Sequence, residues 1–476
     1  MVALHQHSAP GLARLLARGA VSAVEVMRAF QARIAALNPR HNAIISQVAP
    51  DVALAAARAS DRRRKAGTLL GPLDGLPIAF KDTTPTKGLR TTWGSPLFRD
   101  HVPAADSIAA GRVRAAGAIP VGKTNVPEFG LGSHSYNQVF GVTRNAWNPA
   151  LSAGGSSGGA AVAMALRLVP LADGSDMGGS LRNPAAWNNL FGFRPSQGRV
   201  PFFPTEDVYS SQLGTEGPMG RTVADLLFLL AVQAGADARV PLALRDEAGL
   251  RPAGLRAPVA GRRLLWLGDL DGHLTFEPGV LPLCEKALGV FRALGCSVGR
   301  KAPRLDWEAV WQAFIQQRHY EVGGKLNARF ADPAQRALMK PELVWEMEGF
   351  RRLDAARLYQ ANVVRSGLAQ AFAAVFETHD AVLLPTAQVF PFAVEQHWPA
   401  EVGGRAMDSY HRWMEVTVLA TMLGSPCATV PVGFDAAGRP MGMQVIGRPG
   451  ADMATLGLAA AYERATPFAG MAPAED

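Results

Sequence analysis

The apolar positions of the first 70 residues repeat with the period of amphipathic helices. Four of them lie on one predicted helical face: Val24, Met27, Phe30 and Ile34. Ser22 and Glu25 form a capping-box pattern at the start of this helix, and Asn38-Pro39 is expected to end it. An alanine-rich stretch over 51–66 predicts a second helix. The region 1–70 is therefore predicted to be helical.

The pattern changes between residues 73 and 204, where short apolar runs alternate with helical periodicity and loops rich in glycine and serine. The runs span 77–80, 119–121 and 168–172. Strands that alternate with helices are typical of an α/β fold in which helices cover both faces of a sheet. We predict a large mixed, mostly parallel, twisted sheet of this kind.

The second half of the chain is predicted to complete the same body. Residues 241–379 are mainly helical, and strand-like runs return at 381–384, 428–432 and 441–446, before a closing helix over 451–465. Neither repeats nor low-complexity linkers interrupt the sequence. We therefore predict one domain over 1–476, composed of N-terminal helices (1–70), a core (73–225), a variable helical insertion (241–379) and C-terminal strands and a helix that complete the core (380–476).

The composition is that of a globular protein, with 48% hydrophobic and 18% charged residues. The net charge is +8, but the densest basic run, 62–65, lies at a predicted helix C-terminus, where cations are favourable. No basic stripe with interleaved aromatic residues is present, so nucleic acid is not an expected partner. The sequence has no signal-peptide pattern and no apolar run of the ~18 residues that span a membrane. We expect a cytoplasmic protein without a membrane partner.

Two features that could indicate a metal or a nucleotide are weak. The three cysteines, Cys284, Cys296 and Cys427, are too few and too far apart for a zinc site or a disulfide framework. Residues 117–124 match the phosphate-loop pattern G-x-x-x-x-G-K-[ST], but the four variable positions form a strand-like run, and Pro120 lacks an N–H donor. We expect neither a cofactor nor a metal.

Lys81 directly follows the apolar run 77–80, which makes it a candidate base. Burial at a strand end would lower the pKa of its ammonium group. An unperturbed lysine, with a pKa of about 10.4, is neutral in only roughly one part in a thousand at pH 7.4. On the residues alone, a strand-end lysine that points to solvent is the open alternative.

Two loops rich in glycine and serine precede predicted helices. One contains Gly-Gly-Ser-Ser-Gly-Gly at 154–159, and the other contains Gly-Ser-Asp-Met-Gly-Gly-Ser-Leu-Arg at 174–182. A loop of the second kind can hold a serine on a sharp turn, with backbone N–H groups facing a reacting carbonyl oxygen as in an oxyanion hole. Each loop taken alone is equally compatible with an ordinary glycine turn.

Together, the lysine and the two loops resemble the amidase signature family of serine hydrolases, which use a Ser–cis-Ser–Lys triad. They occur in the family's order, with 75 residues from Lys81 to Ser156 and 24 from Ser156 to Ser180. Flanking stretches agree as well, at 122–125, 141–145, 217–221 and 440–448. The likeness covers nearly the whole chain, is weakest over 241–379, and implies the amidase signature fold.

The resemblance implies a role for each motif residue. Ser180 would be the nucleophile, Ser156 the bridging serine with a cis peptide bond at its nitrogen, and Lys81 the base. The oxyanion hole would be formed by the N–H groups of Met177, Gly178, Gly179 and Ser180, and the supporting residues would be Ser157, Asp176 and Arg182. Met177 stands where the family commonly has threonine. Because this position would contribute only its backbone N–H, the oxyanion hole is still expected.

The activity implied is that of an amidase that hydrolyses a small or aryl acyl amide through an acyl-enzyme on Ser180. Three alternatives are open: ester or carbamate hydrolysis at the same site, the glutamine amidohydrolase subunit of a tRNA-dependent amidotransferase, and a catalytically silent binding protein. The expected partner is a small-molecule amide, ester or carbamate, and a homodimer is open as the oligomeric state. We expect the region 241–379 to govern the choice of substrate.

Overall fold

An eleven-stranded mixed sheet forms the centre of the computed structural model, which describes residues 2–245 and 249–474. The described strands are β1 (Ile44–Ile45), β2 (Pro77–Lys81), β3 (Ile119–Thr124), β4 (Tyr136–Asn137), β5 (Gly141–Val142), β6 (Leu171–Asp176), β7 (Phe191–Arg194), β8 (Thr215–Gly220), β9 (Arg263–Trp266), β10 (Ser297–Gly299), β11 (Ala381–Pro385), β12 (Glu401–Val402), β13 (Arg405–Ala406), β14 (Cys427–Phe434) and β15 (Pro440–Gly447). The order across the sheet is β1-β3-β2-β6-β8-β7-β14-β15-β11-β9-β10, and β4–β5 and β12–β13 form two small ribbons.

Helices surround this sheet along the described chain. They are α1 (Ala9–Ala17), α2 (Ala23–His41), α3 (Pro50–Ala66), α4 (Ile108–Ala115), α5 (Gly158–Ala165), α6 (Arg182–Trp187), α7 (Val223–Gln233), α8 (Val280–Ala293), α9 (Trp307–Ala331), α10 (Pro333–Arg336), α11 (Pro341–Arg351), α12 (Ala355–Thr378), α13 (Val418–Met422) and α14 (Asp452–Arg464). The closing helix predicted over 451–465 is therefore confirmed as α14. No helix within the described residues is long and apolar enough to cross a membrane.

The predicted large mixed sheet is confirmed, and every apolar run expected to be a strand contributes to it. The run 168–172 does so only through its last two residues, because β6 begins at Leu171. Among the described strands, four of the ten pairings in this sheet are parallel and six are antiparallel. This corrects the expectation that parallel pairs would dominate. A short connection such as the one between β14 and β15 can join only antiparallel neighbours, since a parallel pair needs a crossover of a dozen or more residues.

Helices cover both faces of the sheet, as predicted. Alternate residues of β11 enter two separate hydrophobic clusters. Ala381 and Leu383 pack in the cluster that contains α8 and α14, whereas Val382 and Leu384 pack in the cluster that contains α9 and α12. Because successive residues of a strand point to opposite faces, the two groups of helices lie on opposite sides of the sheet.

Three local features differ from the sequence prediction. The region 1–70 is mainly helical, but Ile44 and Ile45 form β1, which pairs with β3 at one edge of the sheet. The helix α2 begins at the predicted capping box but continues through Pro39 to His41. A proline in the last turn removes only one hydrogen bond, and Asn42, in the left-handed conformation, ends the helix instead. The region 241–379 is mainly helical, but it also contributes β9 and β10, which form one end of the sheet.

The phosphate-loop match lies on a strand, as its apolar variable positions predicted. Its lysine, Lys123, is on β3 and is fully buried. The Nζ atom of Lys123 donates hydrogen bonds to the carbonyl oxygen of Thr84 and to Oγ1 of Thr86. Burial lowers the pKa of Lys123 to about 8. These contacts give Lys123 a structural role between β3 and the segment that follows β2.

We predict that replacement of Gly192 on β7 destabilises the protein, because a side chain there would collide with the start of α6, directly after Ser180. A Cβ atom at Gly192 would lie 2.2 Å from the carbonyl oxygen of Leu181 and 2.8 Å from Cβ of Ala185. Gly192→Ala should therefore lower the free energy of unfolding by about 1–3 kcal/mol or more. Gly289, exposed in α8 with open space around it, is the matched control. Gly289→Ala should raise stability by about 0.5–1 kcal/mol. Calorimetric midpoints that shift in the same direction for both variants would contradict this account.

Candidate active site

Lys81 is the last residue of β2 and is fully buried. Its Nζ atom lies 2.7 Å from Oγ of Ser156 and 2.9 Å from Oγ of Ser175. Its backbone N–H donates to the carboxylate of Asp173 at 2.6 Å. The alternative of a lysine that points to solvent is therefore excluded, and the side chain is directed at the first of the two predicted serine loops.

Burial also changes the protonation of this lysine. Desolvation lowers the pKa of Lys81 from its usual value to about 7, although the negative charges of Asp173, Asp176 and, when it is ionised, Glu216 oppose the shift. A group with this pKa is neutral in about half of the molecules at pH 7. Lys81 can therefore accept a proton under neutral conditions.

Ser156 and Ser157 lie in the loop that leads into α5. The peptide bond between Gly155 and Ser156 is cis, as the family resemblance implied, and Ser156 is 2% exposed. The backbone N–H of Ser157 donates to the carbonyl oxygen of Ser180 at 3.2 Å, and its Oγ donates to the carbonyl oxygen of Ser175 at 3.4 Å. Ser157 thus connects the two serine loops.

Ser180 lies in the loop between β6 and α6, and it is 8% exposed. Ser156 and Ser180 line the same cavity, which has a volume of about 300 Å³. The structure therefore brings all three residues predicted as the triad to one site, although they lie on three separate parts of the sheet and its loops.

Asp176, at the end of β6, anchors the loop of Ser180. Its carboxylate accepts hydrogen bonds from the guanidinium group of Arg182 at 2.7 and 3.0 Å, and Arg194 lies 3.4 Å away. All three side chains are fully enclosed. Burial alone would raise the pKa of Asp176, but the charges of Arg182 and Arg194 hold it well below its usual range. Asp176 is therefore ionised in the folded protein.

Hydrogen bonds also orient the backbone of this loop. The hydroxyl of Thr421 donates to the carbonyl oxygen of Met177. The hydroxyl of Thr417 donates to the carbonyl oxygen of Gly178. The N–H of Gly179 donates to the Asp176 carboxylate at 3.0 Å. Gly179 has a φ of +102°, and a Cβ there would lie 2.9 Å from Thr417, so only glycine fits. Of the four N–H groups expected in the oxyanion hole, the one of Gly179 is thus already bonded.

Two cavities meet at Ser180. The larger one, of about 300 Å³, contains Ser156 and is lined by apolar side chains that include Trp93, Phe129, Leu131, Phe202, Val322 and Leu326. The smaller one, of about 20 Å³, is lined by Trp311, Phe314, His411, Met414 and Val418 among others. In the described chain, Ser156 is part of the larger cavity and not of the smaller one. One face of α9, through residues between 311 and 326, contributes to both cavities.

Sequence reasoning did not identify these α9 residues, Ser175 or Glu216 as part of the site. The α9 residues do have a signal, since Trp311, Phe314 and Arg318 recur at spacings of three and four, but the same spacing is typical of any buried helix face. Glu216 lies on β8 opposite Ser175, and nothing local in the sequence marks that pairing. Among the described residues, no group of three or more His, Cys, Asp or Glu side chains could hold a metal ion, and the three cysteines are buried free thiols.

Comparison with known proteins agrees with this architecture. The family model described as Amidase matches residues 25–456. The chain is 32% identical to an acylamidase of Rhodococcus erythropolis over 99% of this chain and 98% of that protein. It is 34% identical to a glutamyl-tRNA(Gln) amidotransferase subunit of Thermosynechococcus vestitus, over 96% and 97% of the two chains. A crystal structure of a bacterial aryl acylamidase of the amidase signature family superimposes with a TM-score of 0.91 at 30% identity, covering 98% of this chain and 97% of that one.

The fold and these matches identify the protein as a hydrolase with an α/β fold that acts on carbon–nitrogen bonds. The chain belongs to the amidase signature family. The resemblance inferred from the two serine loops is therefore confirmed.

We predict that Asp176→Asn destabilises the fold severely. The substitution keeps the shape of the side chain but leaves the guanidinium groups of Arg182 and Arg194 buried without a counter-charge. Loss of one partner from a buried ion pair costs about 3–5 kcal/mol. Asp237→Asn is the control, because Asp237 pairs with the exposed Arg239 and should lose less than about 1 kcal/mol. Equal losses in urea unfolding of the two variants would show that Asp176 is not an anchor.

Proposed function

We propose that Ser180, Ser156 and Lys81 form the catalytic triad of this amidase. The observation that carries the proposal is the 2.7 Å distance between Nζ of Lys81 and Oγ of Ser156, in the cavity that Ser156 shares with Ser180. A serine hydroxyl is a weak nucleophile until a neighbouring base takes its proton. Lys81, whose pKa is lowered to about 7 by burial, has the protonation equilibrium that such a base needs.

In this mechanism, protons move along the line of the three side chains. Neutral Lys81 accepts the hydroxyl proton of Ser156 while Ser156 accepts that of Ser180, whose oxygen attacks the carbonyl carbon of the amide. The carbon–nitrogen bond then breaks, and the leaving amine takes a proton from Ser156, which is resupplied by the Lys81 ammonium. A water molecule, activated by the same route, attacks the acyl-enzyme, and Ser180 regains its proton as the acid leaves.

The negative charge of the tetrahedral intermediate is assigned to the N–H groups of Met177, Gly178 and Ser180. Gly179 differs from the sequence expectation, because its N–H is bonded to Asp176 and helps to hold the loop. Donors that are fixed before the reaction stabilise an oxyanion without reorganisation in the transition state. Asp176 and Arg182, which fix the loop, and Ser157, which connects it to the Ser156 loop, are proposed to act as supporting residues.

The two cavities that meet at Ser180 support an assignment of the amine and acyl portions of the amide substrate. The leaving amine must lie within hydrogen-bond reach of Ser156, which donates a proton to it, and Ser156 lines the cavity of about 300 Å³. The acyl substituent is then left with the cavity of about 20 Å³, which has room for roughly one or two water-sized groups. We therefore propose substrates that combine a short acyl group with a larger, partly apolar amine, such as an aryl amine.

Glutamine hydrolysis is the second candidate, since the identity to the amidotransferase relative is as high as that to the acylamidase. Glutamine combines a large acyl portion with ammonia as the leaving group. The large acyl portion of glutamine would have to enter the cavity of about 20 Å³, and the ammonia would occupy the cavity of about 300 Å³. The acylamidase assignment is therefore favoured. Esters and carbamates with a short acyl group share the same division of size and belong in the substrate panel. An intact triad argues against a catalytically silent binding protein.

The proposal also covers the location of the enzyme and the molecules that take part in the reaction. We place it in the cytoplasm and assign it a small-molecule substrate, with no cofactor, metal or nucleic acid in the reaction. Because all three residues assigned to the triad come from one chain, the proposed reaction is the same in a monomer and in a homodimer.

The activity is predicted to follow the neutral form of Lys81. Below about pH 7 the ammonium form dominates and cannot accept a proton, so kcat/KM should rise through about pH 7 and level off one to two units higher. Lys81→Arg keeps the charge but stays protonated, and it should lower kcat by about 100-fold or more. Lys81→Ala should lose a similar amount, with thermal midpoints used to verify folding. A Lys81→Arg enzyme with a near wild-type rate and pH profile would remove Lys81 from the role of base.

The size of the acyl group is predicted to limit turnover. With wild type, kcat/KM for acetanilide should exceed that for hexananilide by about tenfold or more, since the longer chain cannot enter the small cavity. Phe314→Ala should enlarge that cavity and raise the hexanoyl-to-acetyl ratio by about tenfold.

Leu326→Ala is the matched control, because Leu326 lines the larger cavity, and Ser180→Ala gives the background rate. If Leu326→Ala rather than Phe314→Ala extends the acyl range, the two portions of the substrate bind in the opposite orientation. If glutamine is the best substrate of wild type, the acylamidase assignment is wrong.

A further inference from the structure

Glu216 is a buried carboxyl group that the proposed mechanism does not use. It lies on β8, is 3% exposed, and lines the larger cavity. Its Oε2 atom is enclosed and, within the described part of the chain, has no hydrogen-bond partner. Unsatisfied carboxyl oxygens are uncommon inside proteins, because burial removes them from water without replacing its hydrogen bonds.

The other charged side chains of the same cavity are already engaged. Asp176 is paired with Arg182, Arg318 with Glu346, and Glu321 accepts the backbone N–H groups of Gln212 and Leu213, while the ammonium of Lys325 lies over the ring of Phe202. Among the charged residues that line this cavity, Glu216 therefore differs from its neighbours in having an enclosed carboxyl oxygen without a hydrogen-bond partner.

The position of Glu216 places it beside the reacting groups. In the antiparallel pairing of β6 and β8, Glu216 is directly opposite Ser175. Side chains of residues that face each other in this way point to the same side of the sheet, with Cβ atoms about 4.5–5.5 Å apart. Ser175 Oγ is in turn 2.9 Å from Nζ of Lys81. Glu216 thus faces the cavity on the side where Lys81 and Ser156 lie.

We propose that Glu216 is a specificity-determining residue that hydrogen-bonds to a hydroxyl or amino group on the amine portion of the substrate. The inference rests on the proposed function, which places the amine portion in the larger cavity. A substrate with such a group satisfies the buried carboxyl, whereas an analogue with a methyl group of similar size leaves it unsatisfied. Sites of this kind discriminate strongly against the analogue that lacks the polar group.

The protonation state of Glu216 suits a neutral partner. Burial, followed by the charge of Asp173, raises the pKa of Glu216 to about 8, against the opposing charges of Lys123 and Lys81. At pH 7 the group is mostly a neutral carboxylic acid, which both donates and accepts hydrogen bonds. Phenolic hydroxyl and aromatic amino groups also do both, so no cationic substrate is required.

The test compares matched acetanilides that carry a hydroxyl, amino or methyl group at the ortho, meta or para position. In wild type, the hydroxyl or amino compound should exceed its methyl partner in kcat/KM by about tenfold or more at one position at least. Glu216→Met should reduce this ratio to about one. Glu216→Gln, which keeps an acceptor oxygen and the shape, should preserve most of it. Because each ratio is measured within one enzyme, partial loss of folded protein cancels.

Glu321→Met is the matched control, since it makes the same chemical change in the same cavity at a carboxyl group whose Oε1 atom already accepts two backbone N–H groups. It should leave the hydroxyl-to-methyl ratio within about twofold of wild type. An equal ratio in wild type and Glu216→Met at all three ring positions would overturn the proposal. So would an equal loss for all substrates together with a shifted pH profile, because Glu216 would then act on Lys81 rather than on the substrate.

A second measurement separates this inference from the proposed function. Calorimetry measures the binding of 4-aminophenol, 4-methylaniline and their ring isomers to two proteins. One is Ser180→Ala, and the other carries both Ser180→Ala and Glu216→Met. Tighter binding of the aminophenol, lost with Glu216→Met, supports the inference even if wild type hydrolyses no anilide, in which case only the proposed function fails. Equal binding of all the amines in both proteins overturns the inference whatever the enzyme hydrolyses.

Discussion

The buried carboxylate of Asp176 determines where the Ser180 loop can lie. A fully enclosed carboxylate stays ionised only if charged and polar donors replace the water it has lost. Arg182, Arg194 and the backbone N–H groups of Gly179 and Leu181 provide these donors. All of these donors have to reach the same carboxylate, so the turn from β6 into α6 has little conformational freedom.

The same ion cluster extends to the C-terminal part of the sheet. Arg182 also donates to the carbonyl oxygen of Thr417 and to the side chain of Gln444 on β15. Thr417 itself bonds the carbonyl oxygen of Gly178. The backbone of the serine loop is therefore oriented by groups more than 200 residues away in sequence. The N–H groups of Met177, Gly178 and Ser180 are the ones to which we assign the oxyanion role.

Lys81 and Lys123 are buried to the same extent but make different contacts. Both are fully enclosed, and burial lowers the pKa of each, to about 7 and about 8. Lys123 is bonded to the backbone of Thr84 and to Thr86, whereas Lys81 contacts Ser156. The two lysines differ in the groups that their side chains contact, and only the contact of Lys81 with Ser156, in the cavity that Ser180 also lines, supports the role in proton transfer that we propose.

Local signals in the sequence determined the two loops rich in glycine and serine, the strands around them and the capping box of α2, because glycine-rich turns, apolar runs and helix caps act over a few residues. The candidate triad was predicted only from the family resemblance that Lys81 and the two loops carry together. The order of the strands, the excess of antiparallel pairs and the place of β9 and β10 were decided only by the tertiary structure. The same holds for the two cavities, for the α9 face that lines them, and for Glu216 opposite Ser175. These features depend on contacts between segments far apart in the chain, and hydrophobic periodicity indicates that a side chain is buried without indicating what it is buried against.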